Sequence, residues 1–449
     1  MKFLDNSINL TEGSISRNIL KFAVPLMIGN LLQQFYNIVD TLIVGRCLGE
    51  QALAAVGSAY TLMIFLTSII CGLCMGSSTF FAILFGRKET ERMKQSFFIS
   101  FVSILAVTVV INILVYVFLN GIVRFMQIPA EVQQSFGQYM AVIFAGILAT
   151  FLYNYFANLL RAVGNSVVPL LFLAISTIIN VILDLVFVIT FGWGVAGAAA
   201  ATVIAQYFSG VGILLYYLKK CPDLRISREH MKWNRQMFGE IANLSMLTCV
   251  QQSIMNFGIL LVQGLVNSFG TVVMAAFAAG VKIDTVAYAP VQDFGNAFST
   301  FIAQNYGAGK TERIRKGITT AGVMVVGFCV VISALVFFFA DRLMMIFVKS
   351  DLVDIISVGA GYLRVEGSCY VGIGILFLLY GYFRAIKRPF MSVVLTVISL
   401  GTRVVLAYGL ASVSGIGVLG IWAAIPIGWL LADVTGIIYG VRINKLRKV

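Results

Sequence analysis

The chemistry of this chain starts from two carboxylates set in apolar surroundings. Asp40 shares one apolar stretch with Asn30, Gln33, Gln34, Asn37 and Thr41, and Asp184 lies in another, four residues after Asn180. A carboxylate among hydrocarbon is costly unless it faces a cavity, an ion or a partner. Steps of three and four residues put the six polar side chains of the first stretch on one helical stripe, with Leu, Ile and Val opposite. Asn180 and Asp184 share a face at the i, i+4 spacing, as do Asn154 and Asn158 on a further stretch. Tyr139 and Thr202 add hydroxyl oxygens. Such a set of carboxylate, amide and hydroxyl oxygens suits a hard cation, and two neighbouring carboxyls can equally take up a proton. Either chemistry makes an ion-coupling site from Asp40, Asp184, Asn180, Thr202, Tyr139 and Asn154. If the ion is sodium, Asp40, Asn180, Asp184 and Thr202 are its expected ligands. A static buried hydrogen-bond network is the competing reading. Gln33, Gln34, Tyr36, Asn37, Asn158, Gln252, Asn256, Asp293 and Glu366 are expected to line a substrate cavity.

The elements that must position these groups are membrane helices. The chain has 449 residues, of which 59% are hydrophobic and only 11% charged, against about 25% charged in soluble domains. It divides into twelve apolar spans of bilayer-crossing length. They run roughly over 17–42, 54–84, 95–119, 136–160, 167–190, 196–218, 239–267, 272–303, 318–340, 355–382, 390–412 and 418–440. The net charge of +13 is laid out by side. Twenty-five of the 32 Lys and Arg residues fall on the side that holds both termini, and only Arg46, Arg124, Arg342 and Lys349 fall on the other. Lys282, Arg364 and Arg403 lie within spans. This asymmetry predicts a multi-pass protein of the cell inner membrane with both termini cytoplasmic. No cleavable signal peptide is expected, because the first span is long and continuous.

The spans repeat. Phe85–Arg92 matches Tyr306–Arg313, Leu53–Val56 matches Met274–Phe277, Leu160–Val163 matches Phe383–Ile386, and Gly192–Gly197 matches Gly415–Gly420, all at offsets of 221 to 223 residues. The expected fold is an all-α integral membrane protein with twelve transmembrane helices in two pseudo-symmetric six-helix lobes. The N-lobe is expected over 1–218, a cytoplasmic linker over 219–237 and the C-lobe over 238–449. Parallel repeats of this kind place a substrate site between halves and work by alternating access. At these offsets Asp40 corresponds to Leu261 and Asp184 to Ala407, so the C-lobe keeps a polar stripe (Gln252, Asn256, Gln263, Asn267) without either acid. Ion coupling is therefore expected in the N-lobe. Asp284, Asp293, Glu366 and Asp433 are separate C-lobe acids that Lys282, Arg364 and Arg403 can neutralise. Pro25, Pro290 and Pro426 interrupt spans 1, 8 and 12 and can kink them.

Several other chemistries are disfavoured. Cys71 and Cys74 form a C-x-x-C inside span 2 and read as packing residues. The single histidine, His230, lies in a basic loop, so a His/Cys metal site is not expected. Gly309-Lys310-Thr311 looks like the end of a phosphate-binding loop, but Gln304 occupies the first glycine position and no strand precedes it. With no nucleotide motif, an ion gradient is the expected energy source. It supplies about 2.3 kcal/mol per charge per 100 mV and about 1.4 kcal/mol per proton per pH unit.

The chain resembles the multidrug and toxic compound extrusion (MATE) family. In the first half the resemblance rests on Pro25, Asn30–Asp40, Gly45, Leu48-Gly49 and Ala52–Gly57, followed by Arg161–Asn165; in the second half it rests on Gln304–Gly309. It implies two lobes, a V-shaped cleft, and proton- or sodium-coupled export of organic cations. Asp40, Asp184, Asn180 and Thr202 look like the N-lobe site of the family's prokaryotic DinF-like branch, and Tyr139 and Asn154 match further members of it. Other branches carry a functional carboxylate on span 7, where this chain has Gln251 and Gln252. Glu366 partly matches a C-lobe acid on span 10. The function implied is a multidrug efflux antiporter, not an enzyme, with no cofactor beyond the coupling ion. Its expected partners are cationic or amphipathic drugs and the lipid bilayer, with no nucleic acid, and it is expected to be a monomer. A lipid or lipid-linked oligosaccharide flippase is the nearest alternative. In-span acids outnumber in-span bases six to three, which favours a cationic guest.

Overall fold

In hydrocarbon a backbone must satisfy its own hydrogen bonds, which leaves helices as the economical answer for a chain this apolar. The computed structural model describes residues 8–126, 128–413 and 416–446; of Glu50, Phe125, 257–261, Asn267 and 444–446 it describes the backbone alone. No strand occurs among the described residues. The helices of the first half are α1 (Ile15–Leu48), α2 (Glu50–Arg87), α3 (Thr90–Val117), α4 (Leu119–Phe125), α5 (Ala130–Ile143), α6 (Ile147–Ala162), α7 (Val167–Asp184) and α8 (Gly194–Lys220). Those of the second half are α9 (Arg235–Asn267), α10 (Thr271–Gly307), α11 (Thr311–Met344), α12 (Val353–Gly367), α13 (Tyr370–Ala385), α14 (Pro389–Ala411) and α15 (Val418–Leu446).

Nine helical stretches among the described residues are long and apolar enough to cross a bilayer, α5 and α6 counting as one through a tight 3₁₀ turn at Phe144–Gly146. The pair α12 and α13, bent by 51°, makes a tenth. The helices α1 and α9, 34 and 33 residues long, complete the twelve expected crossings. Their polar stripes make them the least apolar of the set.

The packing inverts that of a soluble protein. Only 22% of the most apolar stretch of α11 is buried, against 72% for α2. On α1 the exposed Leu20, Val24, Ile28, Leu31, Phe35, Ile38 and Leu42 recur every three or four residues. Such a stripe is stable only against lipid tails.

The duplication is visible in the backbone. Residues with positive φ occur in matched pairs: Gly49 with Gly270 and Lys88 with Gly309, each 221 apart, then Gly164 with Lys387 and Gly194 with Gly417, each 223 apart. The break between α5 and α6 likewise has its counterpart between α12 and α13. The correspondences drawn for Leu261 and Asn267 involve side chains outside the described residues, and Gly415 lies outside them altogether.

By internal contacts the chain forms two units. The first holds Val24–Cys249 with the stretch ending at Leu10, and the second holds Thr11–Ala23 with Val250–Val449. In the first unit, α2 meets the opening turns of α9 with no room for side chains. A Cβ on Gly72 would lie 2.5 Å from Cys249 Cα, and one on Gly76 would lie 2.6 Å from the Leu244 carbonyl oxygen. In the second unit, Lys310 Nζ donates to the Thr11 carbonyl (2.8 Å) and Arg313 donates to those of Gly13 (2.7 Å) and Glu12 (2.8 Å). Gly309-Lys310-Thr311 is thus a helix stop and a backbone clamp. One residue needs correction against the charge count. Arg384, assigned there to a loop, is buried in the last turn of α13.

Candidate functional site

In the first unit α7 and α8 run side by side and antiparallel. Ser176 donates to the Ala205 carbonyl (2.7 Å), and one turn further along α7 Asn180 Nδ2 donates to Thr202 Oγ1 (3.3 Å). Thr202 Oγ1 also bonds the Tyr36 hydroxyl of α1 at 3.0 Å. Thr202 is therefore the node joining three helices. One turn beyond each, the carboxyl of Asp40 on α1 faces that of Asp184 on α7 within hydrogen-bonding reach. Tyr36 and Tyr139 lie within electrostatic reach of both carboxyls and Tyr60 within reach of Asp40. Asn37 Nδ2 donates to the Tyr60 hydroxyl at 3.1 Å.

Oxygen atoms dominate the centre of this cluster. Asp40 Oδ1, both carboxyl oxygens of Asp184 and Asn180 Oδ1 are buried without a donor. Two ionised carboxylates cannot donate to one another, and such an arrangement can take up a proton shared between them or a small cation among the oxygens. The backbone contributes too. Asp184 ends the α-helical part of α7, and Leu185–Thr190 continues as a π-helical turn in which the Phe191 N–H donates to the Val186 carbonyl five residues back (2.9 Å). Such turns are uncommon and gather at functional sites.

The remaining expected residues are distributed as follows. Asn154 accepts a bond from Cys71 Sγ (3.5 Å) and donates to the Thr150 carbonyl, while the buried Asn158 donates to the Asn154 carbonyl. Asn154 thus faces α2 within the first unit, and Cys71 and Cys74 are unbridged. Gln33 is exposed and Gln34 half-buried on α1. In the second unit Gln252 lines a small cavity of about 20 Å³, together with Gln251 on α9, Gln292 and Asn296 on α10, and Phe377, Tyr380 and Arg384 on α13. Asn256 and Asp293 are half-buried on the same two helices.

Glu366 does not line that cavity. It is buried against Asp284 and Tyr362, with Arg403 within electrostatic reach, and the Tyr370 hydroxyl donates to Asp284 Oδ1. Of the in-span bases, Arg364 pairs with Asp341 and Lys282 lies over the Phe347 ring. Asp433 is buried, with Tyr380 nearby. Sequence reasoning missed Tyr60, Tyr362, Tyr370 and Arg384. A tyrosine in an apolar helix counts as hydrophobic, and an arginine beside a loop counts as cytoplasmic charge.

Among the described residues no group of three or more His, Cys, Asp or Glu side chains is placed to hold a metal ion. His230 instead fastens the loop before α9. Its Nε2 lies 2.6 Å from Glu91 Oε2 and its Nδ1 accepts the Ser227 N–H at 3.1 Å. His230, and then Lys94, hold the Glu91 carboxyl below the usual carboxylate range.

Comparison with known proteins agrees with this architecture. A family model described as MatE matches residues 25–186 and again 247–409, one match per repeat. The chain is 28% identical over 437 residues to "Probable multidrug resistance protein YpnP" of Bacillus subtilis (strain 168), covering 96% of both chains. It superposes on an outward-facing multidrug resistance MATE family transporter of the MOP superfamily with a TM-score of 0.93 at 23% identity, covering 100% of each. A MOP-superfamily transporter from Pyrococcus furiosus, noted for a reversed polarity of its binding pocket, superposes with a TM-score of 0.93 at 24% identity over 100% of each chain.

Proposed function

Because the chain belongs to the multidrug and toxic compound extrusion (MATE) family of transporters, we propose that it is an antiporter exporting organic cations in exchange for protons or sodium ions. The observation that carries this reading is the convergence of Asp40 and Asp184 with Asn180, Thr202, Tyr36 and Tyr139 from separate helices of one unit. A neutral hydrogen-bond network needs no second carboxylate. A pair of facing carboxylates is useful where a cation comes and goes.

In this reading a proton or sodium ion entering from outside is held by Asp40 and Asp184, with the Asn180 and Thr202 oxygens completing a sodium shell. Loading cancels one negative charge of the pair and changes the bonds that tie α1 to α7 and α8. Pro25 interrupts α1 about four turns from Asp40 and gives the helix a place to bend. A drug bound on the cytoplasmic side is then released outward. The transporter works as a monomer in the cytoplasmic membrane, with six-helix repeats at 1–218 and 238–449 joined by 219–237. The placement of the basic residues, 24 of them on one side once the buried Arg384 is set apart, supports cytoplasmic termini.

The test is ethidium movement in proteoliposomes under separately imposed proton and sodium gradients. Gradient-driven transport under either ion supports the antiporter and names the ion. Folded protein that moves no ethidium under either gradient, but moves a labelled lipid between leaflets, would make it a flippase.

A further inference from the structure

The linker between the repeats is a folded surface rather than a bare tether. Cys221 and Leu224 are buried, the Tyr217 hydroxyl on α8 donates to the Leu224 carbonyl (2.6 Å), and Gln95 Nε2 on α3 donates to the Lys232 carbonyl (3.0 Å). With His230 held by Glu91, these bonds fix the linker backbone against α3 and α8. What the linker turns outward is of two kinds. Lys219, Lys220, Arg225, Arg228, Lys232 and Arg235 are all exposed, against two acids, Asp223 and Glu229, in the same stretch. Among the described residues none of these six cations pairs with a carboxylate. Beside them Met231 is 51% and Trp233 53% exposed, although the Trp233 ring has a partner in Phe238 at 5.1 Å.

Charge alone is what any loop on the basic side of a membrane protein carries. Its pairing with exposed apolar surface is not. The segment that opens the first repeat shows the difference. It leads into α1 as the linker leads into α9, yet Leu10 is buried, Glu12 is acidic and no aromatic lies between Ile8 and Ile15. An exposed Trp is unfavourable in water and favourable where headgroups meet acyl chains, the level at which Trp gathers in membrane proteins. The linker starts at that level. The last turns of α8 carry the exposed Leu215 and Leu218, and Lys219 and Lys220 follow at once. Long basic side chains at the end of a membrane helix reach into the headgroups. A nucleic acid would match the cations and leave Met231 in water, whereas negatively charged phospholipids match both.

We propose that residues 219–235 form a docking surface for anionic phospholipids of the adjacent leaflet, with the six cations on the headgroup phosphates and Trp233 and Met231 at the base of the headgroup layer. The proposal goes beyond the export reading and does not rest on it.

The experiment places the full-length protein in nanodiscs of equimolar phosphatidylcholine and phosphatidylglycerol, in which one lipid or the other carries brominated acyl chains. Bromine quenches tryptophan at short range, and the signal of Trp233 is the difference between wild type and Trp233→Phe. Brominated phosphatidylglycerol is expected to quench Trp233 at least about twofold more than brominated phosphatidylcholine. High salt should shrink that preference, because the attraction is screened. Arg225→Gln combined with Arg228→Gln should shrink it too. Arg225→Lys combined with Arg228→Lys keeps the charge and should retain it, which separates lost charge from lost fold. Equal quenching by the two lipids, or a preference that survives the Gln pair undiminished, would overturn the proposal. So would a Trp233 that neither lipid quenches, which would turn this surface towards an acidic protein or a nucleic acid in solution.

Discussion

Thr202→Val is a sharp perturbation of the ion site because valine has the shape of threonine without its hydroxyl. That hydroxyl accepts from Asn180 Nδ2 at 3.3 Å and bonds Tyr36 at 3.0 Å. A buried polar group left without its partner costs about 1–3 kcal/mol. Asn180 is 2% exposed and bears that cost in full, whereas the half-buried Tyr36 can turn towards water. The net loss is therefore about 2 kcal/mol, or roughly 30-fold in an equilibrium constant. The loss falls on the arrangement that brings Asp40 towards Asp184, so it is expected as a roughly 30-fold rise in the ion concentration that half-activates transport. Thr202→Ser keeps the hydroxyl and should stay within about threefold of wild type. The assay is ethidium transport in proteoliposomes across a series of imposed ion concentrations. A Val variant with wild-type half-activation, or a Ser variant as impaired as Val, would refute the role of the hydroxyl as a node.

Three further outcomes follow from the packing. Gly72→Ala and Gly76→Ala each force a methyl group into the backbone of α9 and should cost about 1–3 kcal/mol, seen as a lower melting temperature. Gly57→Ala on the same helix, with nothing within 4 Å of the new Cβ, should be neutral or stabilising. Tyr370→Phe removes the donor to the buried Asp284 and should destabilise by about 1–3 kcal/mol, with the loss reduced when Asp284→Asn is also present; an unchanged melting curve would count against the bond. The Glu91 carboxyl, held below its ordinary range by His230 and Lys94, favours docking of the loop in its ionised form. Docking should therefore persist above the ordinary carboxylate range and fail as pH falls through the lowered value. Amide protection of residues 227–232, corrected for intrinsic exchange, should drop in acid and also at neutral pH in Glu91→Gln.

Much of the architecture is legible in the sequence because the bilayer imposes both length and polarity on each span. The reading over 167–190 coincides with α7 and its π-helical extension, and the expected matches at offsets 221 to 223 reappear as paired positive-φ residues. The π-helical form itself is not legible, since Leu185–Thr190 is as apolar as any helix. The i, i+4 spacing of Asn180 and Asp184 announces a polar face but not what that face meets. Their encounter with Tyr36 and Asp40 depends on how α1, α7 and α8 pack, which no local pattern encodes. Arg384 shows the opposite failure. Its charge suggests water, while the helix carries it inward to a cavity built from amides.

The central claim is that Asp40 and Asp184 couple an ion to drug release. Coupling of this kind is reciprocal, so the ion must weaken drug binding as much as drug weakens ion binding. The most direct measurement is the ethidium affinity of the purified protein at low and at saturating proton or sodium concentration, for wild type, Asp40→Asn and Asp184→Asn. The account predicts that saturating ion weakens wild-type affinity by about tenfold or more and leaves both variants unchanged. Wild-type affinity that is the same at both extremes for both ions, or a variant that keeps the full ion dependence, would contradict it.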